Sequence, residues 1–171
     1  LFTEISCEEE VLEGLCYQKL EIEEKVQRTE EMLKLMEIEH LRKANPYDLS
    51  GGEQQRLALA KVMVSNPDIL LLDEPTKGLD PFFKQTLGRI LRRLCKENKT
   101  IFMVSHDIEF CAEFGDRCSM FFDGEIATSG SAKEFFSGNN FYTTVENKLT
   151  RKWCEGIITG EEARTWIRSL L

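Results

Sequence analysis

The sequence predicts an α/β domain built on parallel strands, and three observations predict it. Two short apolar runs, "ILLL" at 69–72 and "TIFMVS" at 100–105, show no polar alternation, so they read as strands buried on both faces. An amphipathic segment of helix length lies between them, which supplies the long crossover that a parallel strand pair needs. Polar segments, "DEPTKGLDP" and "HD", directly follow the two runs, at the strand ends where an open parallel sheet binds its ligands.

The other elements follow in order. Residues 7–44 are acidic and helical in character, with Val26, Met32, Leu33 and Met36 at helical spacing. Ser6 reads as an N-cap, and Glu8, Glu9 and Glu10 as a solvated first turn. "NPYD" at 45–48 breaks the run, and a second helix is expected from Gly52 or Glu53 to Val64, ended by "SNPD". Asp80 caps a helix with Pro81 at its first position, burying Phe83, Leu87, Ile90, Leu91 and Leu94. "HDIEFCAEFG" is a helix stopped at Gly115. "CSMFFDGEIATSG" reads as two short strands turned by Asp123-Gly124. Ser131 with Glu134, and Thr159 with Glu162, open two further helices. The 141–158 stretch gives no clear pattern, and there is no internal repeat.

Composition narrows the function. The 171 residues suffice for one domain, and a net charge of −8 lacks the basic field of a nucleic-acid binder, so no nucleic acid is expected as a partner. Six cysteines, at 7, 16, 95, 111, 118 and 154, form no C-x-x-C pair and no zinc spacing. Reduced thiols in the cytosol are expected, with Cys95 and Cys111 as small core hydrophobes. No apolar run approaches a membrane span and no signal peptide is evident. The first residue is Leu rather than Met, which reads as a fragment.

The chemistry-bearing residues cluster after the strands. Asp73 and Glu74 stand against a hydrophobic core, where a magnesium ion gives a carboxylate a reason to be, and where a second carboxylate orients an attacking water. His106 follows the second strand and is placed to donate to a phosphate oxygen. Ser50, Gly51 and Gly52 precede a helix whose N–H groups and positive dipole end make an anion seat, the glycines letting a phosphate reach the backbone.

In order and spacing, "LSGGEQQR" (49–56), "ILLLDEPTKGLD" (69–80) and "VSHD" (104–107) resemble the signature motif, the Walker B motif with D-loop, and the switch histidine of ABC-type ATPases. The resemblance implies a partial P-loop NTPase core: a helical subdomain with the signature helix (1–66), the α/β core (67–118), and a C-terminal hairpin and helical tail (119–171), all within one partial domain. It implies ATP and Mg2+ as ligands, with Ser50, Gly51, Gly52 and Glu53 capping the ATP of a partner domain. Asp73 would be the magnesium carboxylate, Glu74 the catalytic carboxylate, Asp80 the D-loop contact and His106 the γ-phosphate sensor. Glu53 departs from the glutamine of many members. The partners implied are a second ABC ATPase domain, alike or different, and a transmembrane transporter subunit, with the chain peripheral on the cytoplasmic face of the membrane. "LFTEISCEEEV" and "FFSGNNFYTT" resemble energy-coupling factor ATPases, which power vitamin or metal-cation uptake. The P-loop pattern G-x-x-x-x-G-K-[ST] is absent, with no Gly-Lys anywhere in the sequence, so the chain is expected to be the back part of such a domain and inactive alone.

Two other functions fit part of this pattern. An SMC-like chromosome or repair ATPase would also separate signature from P-loop, but it would feed a long heptad coiled coil into this lobe, and breaks near "LEIEEK" and at "NPYD" disfavour that. A non-catalytic partner-binding remnant is disfavoured by the retained Glu74 and His106.

Overall fold

A computed structural model describes residues 2–138 and 142–170. The chain forms two compact units, one of Leu1–Leu87 with Arg93–Val104, the other of Gly88–Arg92 with Ser105–Leu171.

The first unit holds α1 (Cys7–Glu13), α2 (Ile22–Leu35), α3 (Gly51–Met63), β1 (Ile69–Asp73), both ends of α4 (Pro81–Lys96) and β2 (Thr100–Val104), with 3-10 turns at Glu39–Leu41 and Pro46–Asp48. Ser6 starts α1 through a reciprocal capping box with Glu9. The helical core is Val11, Leu15, Leu33, Met36, Ile38 and Leu57, all essentially inaccessible. Val26 lies exposed, and Thr29 is buried on α2 with Leu33, so the inward face of α2 is narrower than its apolar spacing suggests.

The acidic start of α1 is not simply solvated. Glu10 is fully buried, accepts the N–H groups of Thr3 (2.9 Å) and Glu4 (2.8 Å), and pairs with Lys61 of α3. Lys61 also reaches Glu13, and Glu8 pairs with Arg42 and Lys43 at 2.5 Å each. Burial pushes the Glu10 carboxyl up, but the hydrogen bonds from Lys61, Glu4 and Thr3 together hold it below the usual range. Burial pushes Lys61 down, and its two carboxylate partners more than reverse that. The depressed Glu10 contributes stability above its ordinary pKa that is lost as pH falls through its lower folded value. The raised Lys61 contributes below its ordinary pKa, and that is lost only as pH rises through its higher folded value. Lys61→Met is expected to cost about 3 kcal/mol at neutral pH, because it strands a buried carboxylate. Thermal melts check this: the gap from wild type should close below the carboxylate range, and a gap that persists in acid would contradict the pairing.

The two strands pair in parallel with Ile69 opposite Thr100 and Asp73 opposite Val104, so they end level. They are not buried on both faces. Leu70 and Leu72 are inside, whereas Ile69, Leu71, Phe102 and Val104 are each more than half exposed. The pleat sends alternate side chains to opposite faces, and among the described residues only one face of this two-stranded sheet is covered. Self-association of the isolated chain through this apolar face and the unpaired strand edges is expected. A monodisperse monomer with a sharp cooperative melt would contradict it. Asp80 caps α4 as expected, and Phe83, Leu87, Ile90 and Leu91 are buried, with Leu94 half-buried.

The second unit holds the middle of α4, α5 (Ile108–Phe114), β3 (Arg117–Phe122), β4 (Glu125–Ser131), α6 (Ala132–Gly138), α7 (Val145–Thr150) and α8 (Gly160–Ser169). β3 and β4 form an antiparallel hairpin whose two turn residues, Asp123 and Gly124, both have positive φ (50° and 83°), the type I′ pattern. Ser131 with Glu134 and Thr159 with Glu162 cap α6 and α8, and Thr144 caps α7 in the stretch that had shown no pattern. Residues 139–141 of "FFSGNNFYTT", and residue 1 of "LFTEISCEEEV", lie outside the described residues. A small core joins Ala112, Ala132, Phe136 and Ile158, with Cys111 and Cys118 at its margin. Cys95 and Cys111 are therefore half-buried rather than core residues, and the buried thiol is Cys7, which donates to Ala44 O at 3.3 Å.

Candidate functional site

α3 begins at Gly51, one residue before the expected start, with Ser50 as its N-cap. The Ser50 hydroxyl accepts from Glu53 N (3.4 Å) and donates to Glu53 Oε2 (2.6 Å), which also accepts from Ser50 N (2.8 Å). These bonds, the hydroxyl's first and the amide's second, hold the Glu53 carboxyl below its usual range. Glu53 therefore serves the cap of its own helix, a role that glutamine fills equally well.

The two glycines have different surroundings. A Cβ on Gly51 would meet nothing within 4 Å, so its backbone stands open. A Cβ on Gly52 would lie 2.8 Å from Gly78 O, a separation that side chains do not tolerate. Gly52 thus lets α3 seat on the loop after β1, and Gly51 leaves room for something from outside.

That loop turns sharply. Asp73 closes β1 and is exposed. Glu74 takes a left-handed conformation (φ 48°), fixed by its N–H donating to Val104 O (2.8 Å) and its carbonyl accepting from Lys77 N (3.1 Å). Such backbone is uncommon for a side-chain-bearing residue and concentrates at functional sites. Buried Thr76 and Leu79 anchor the segment, and Gly78 turns it with φ 76°. Asp80 is committed within its own chain: Oδ1 accepts from Phe82 N (3.0 Å) and Phe83 N (2.9 Å), and Oδ2 accepts from Arg56 Nη2 (2.6 Å). The Phe83 N–H foremost, and Arg56 after it, outweigh desolvation and hold this carboxyl low. Gln55 Nε2 donates to Pro75 O at 3.3 Å.

The structure therefore brings the start of α3, with Ser50, Gly51, Gly52 and Glu53, against the segment that runs from Asp73 and Glu74 to Asp80. His106 belongs to the second unit and is exposed, just before the turn where Asp107 caps α5 by accepting from Phe110 N at 3.1 Å. Sequence reasoning missed Arg56, although its place one turn after Gly52 put it on the same helix face.

No group of three or more potential metal ligands occurs among the described residues. Asp73 alone fits magnesium, which takes one or two carboxylates and completes its shell with water and phosphate oxygens. The open Gly51 backbone at a helix start fits a phosphate.

Residues 1–77 match the family model described as ABC transporter. A putative ABC transporter ATP-binding protein of Bacillus cereus is 50% identical over 133 residues, 78% of this chain and 24% of that protein. The chain belongs to the ABC ATPase family. The energy-coupling factor transporter ATP-binding protein EcfA3 of Oenococcus oeni is 37% identical over 123 residues, 70% of this chain and 43% of that protein. Among solved structures, a dimeric post-hydrolysis state of an ATP-binding cassette bound to ADP and Pi superposes with a TM-score of 0.70 at 32% identity. That match covers 77% of this chain and 59% of the cassette. The chain thus spans about a quarter of the length of the Bacillus relative and is part of an ABC ATPase domain. The P-loop NTPase α/β fold is shown by the same comparison, and ABC ATPases in general bind ATP and hydrolyse it.

Proposed function

We propose that this chain supplies the signature and Walker B portion of the ATP-hydrolysing subunit of an ABC transporter, coupling hydrolysis to transport across a membrane. One observation carries the reading: an open-backboned helix start at Gly51 is packed by Gly52 and Gln55 onto the segment that leaves β1 at Asp73 and Glu74. In this reading Ser50, Gly51 and Gly52 close over the ATP of a second ABC ATPase domain. Asp73 holds the magnesium that the nucleotide carries, Glu74 orients the attacking water, and His106 contacts the γ-phosphate. The dimeric state of the similar cassette supports a second domain as partner. The energy-coupling factor transporter relative supports a transporter subunit as partner, and uptake of vitamins or metal cations is what the resemblance to energy-coupling factor ATPases implies. No described helix is long and apolar enough to cross a membrane, which suits a subunit held peripherally at the cytoplasmic face. The helices before the signature run 7 and 14 residues, too short for the coiled coil of a chromosome ATPase.

The chain by itself is expected to show no steady ATP turnover, because its sequence holds no P-loop amides or lysine to cradle the β- and γ-phosphates. Turnover should appear in the full-length protein. Steady hydrolysis by the purified chain that Glu74→Gln abolishes would refute this.

A further inference from the structure

Arg56 holds the two halves of this site together. Its Nη2 donates to Asp80 Oδ2 at 2.6 Å and its Nη1 to Glu37 Oε2 at 3.3 Å. Its guanidinium carbon stands 3.8 Å from the centroid of the fully buried Phe83 ring. The side chain is only 16% exposed. A guanidinium that is stacked, forked and mostly buried is fixed in orientation, and a lysine could not reproduce the arrangement. Two further contacts lie on the same side of α3, Gly52 on Gly78 O and Gln55 on Pro75 O. The first turns of α3 therefore seat on the 75–80 segment at three successive levels, and Arg56 closes the last.

We propose that Arg56 is a positioning residue that locks the start of α3 to the loop after β1, so that the 50–52 turn and Glu74 move as one rigid piece. This rests on the reading of that turn as an ATP cap and of Glu74 as the catalytic carboxylate. Because the cap would serve a partner's nucleotide and Glu74 the chain's own, the lock ties closure over one nucleotide to the geometry at the other. Arg56 acts through Asp80 and Phe83, not on the nucleotide.

The test uses the full-length protein and steady-state ATP turnover per folded molecule, well below the melting point. Arg56→Gln removes the charge and the stack. Asp80→Asn keeps the α4 cap, since asparagine caps as well as aspartate, but removes the charge that faces Arg56. Each is expected to lower kcat about tenfold with KM for ATP within about twofold, as misplacement of a catalytic group does. The double variant should lose no more than the worse single, and Arg56→Lys should recover part of the rate. A merely structural role would move the melting point and leave kcat per folded molecule alone. A kcat within about twofold of wild type for Arg56→Gln, or losses that multiply in the double variant, would overturn the proposal. If Arg56→Gln does not fold, Asp80→Asn decides by the same kcat criterion. Glu74→Gln runs alongside: if it turns over like wild type, the catalytic reading fails and takes this inference with it. If Glu74→Gln is inactive and Arg56→Gln is not slowed, this inference alone fails.

Discussion

Glu74→Gln in the full-length protein is expected to keep ATP binding and to slow hydrolysis by about two to four orders of magnitude, the range that a positioned general base contributes. The substitution keeps the shape of the side chain and removes its charge and basicity. The turn that places residue 74 is made by backbone bonds, to Val104 O at 2.8 Å and from Lys77 N at 3.1 Å, and these survive the change. Asp73, one residue earlier at the end of β1, still offers its carboxylate to magnesium. Equilibrium binding together with single-turnover hydrolysis separates the two effects. A rate within a few-fold of wild type would show that Glu74 is not the catalytic carboxylate.

Gly51→Asp is expected to lower turnover by at least about a hundredfold, since close like charges shielded from water repel by several kcal/mol. Gly51 is the right position for this test, and Gly52 is not. A side chain at Gly51 enters open space, and an aspartate in the first turn of a helix is favoured by the dipole, so the fold should be as stable as before. A side chain at Gly52 would meet Gly78 O at 2.8 Å and displace the loop that carries Asp80, mixing folding with function. ATP affinity of the separated full-length monomer should be nearly unchanged for Gly51→Asp, while ATP-driven dimerisation is lost. A large fall in monomer affinity would mean that the turn serves its own domain's nucleotide.

Much of this was legible because the signals were local. Ser6, Asp80, Ser131 and Thr159 each cap the helix that their spacing announced, and Asp123-Gly124 turns the hairpin, because such features are set within three or four residues. The misreadings were all long-range. Glu10 looked like one more solvated acid until the fold brought Lys61, 51 residues away, against it. "ILLL" reads as doubly buried, but whether both faces of a strand are covered depends on what packs there, and Ile69 and Leu71 face outward. The packing of Gly52 on the loop after β1 was not legible either, because its neighbour is Gly78, far along the chain. Arg56 had a usable signal, its helical phase with Gly52, but its partner Asp80 lies 24 residues on.

Whether the turn at Gly51 caps a nucleotide held by the partner domain is decided by mixed dimers of the full-length protein. Each composite site takes its P-loop from one protomer and its cap from the other. With Gly51→Asp in one protomer and a P-loop lysine lesion in the other, both lesions fall in one site and the second site is whole. With both lesions in a single protomer, each site carries one. ATP-driven closure and residual turnover are expected only in the opposite-protomer arrangement. Better retention with both lesions in one protomer would contradict it.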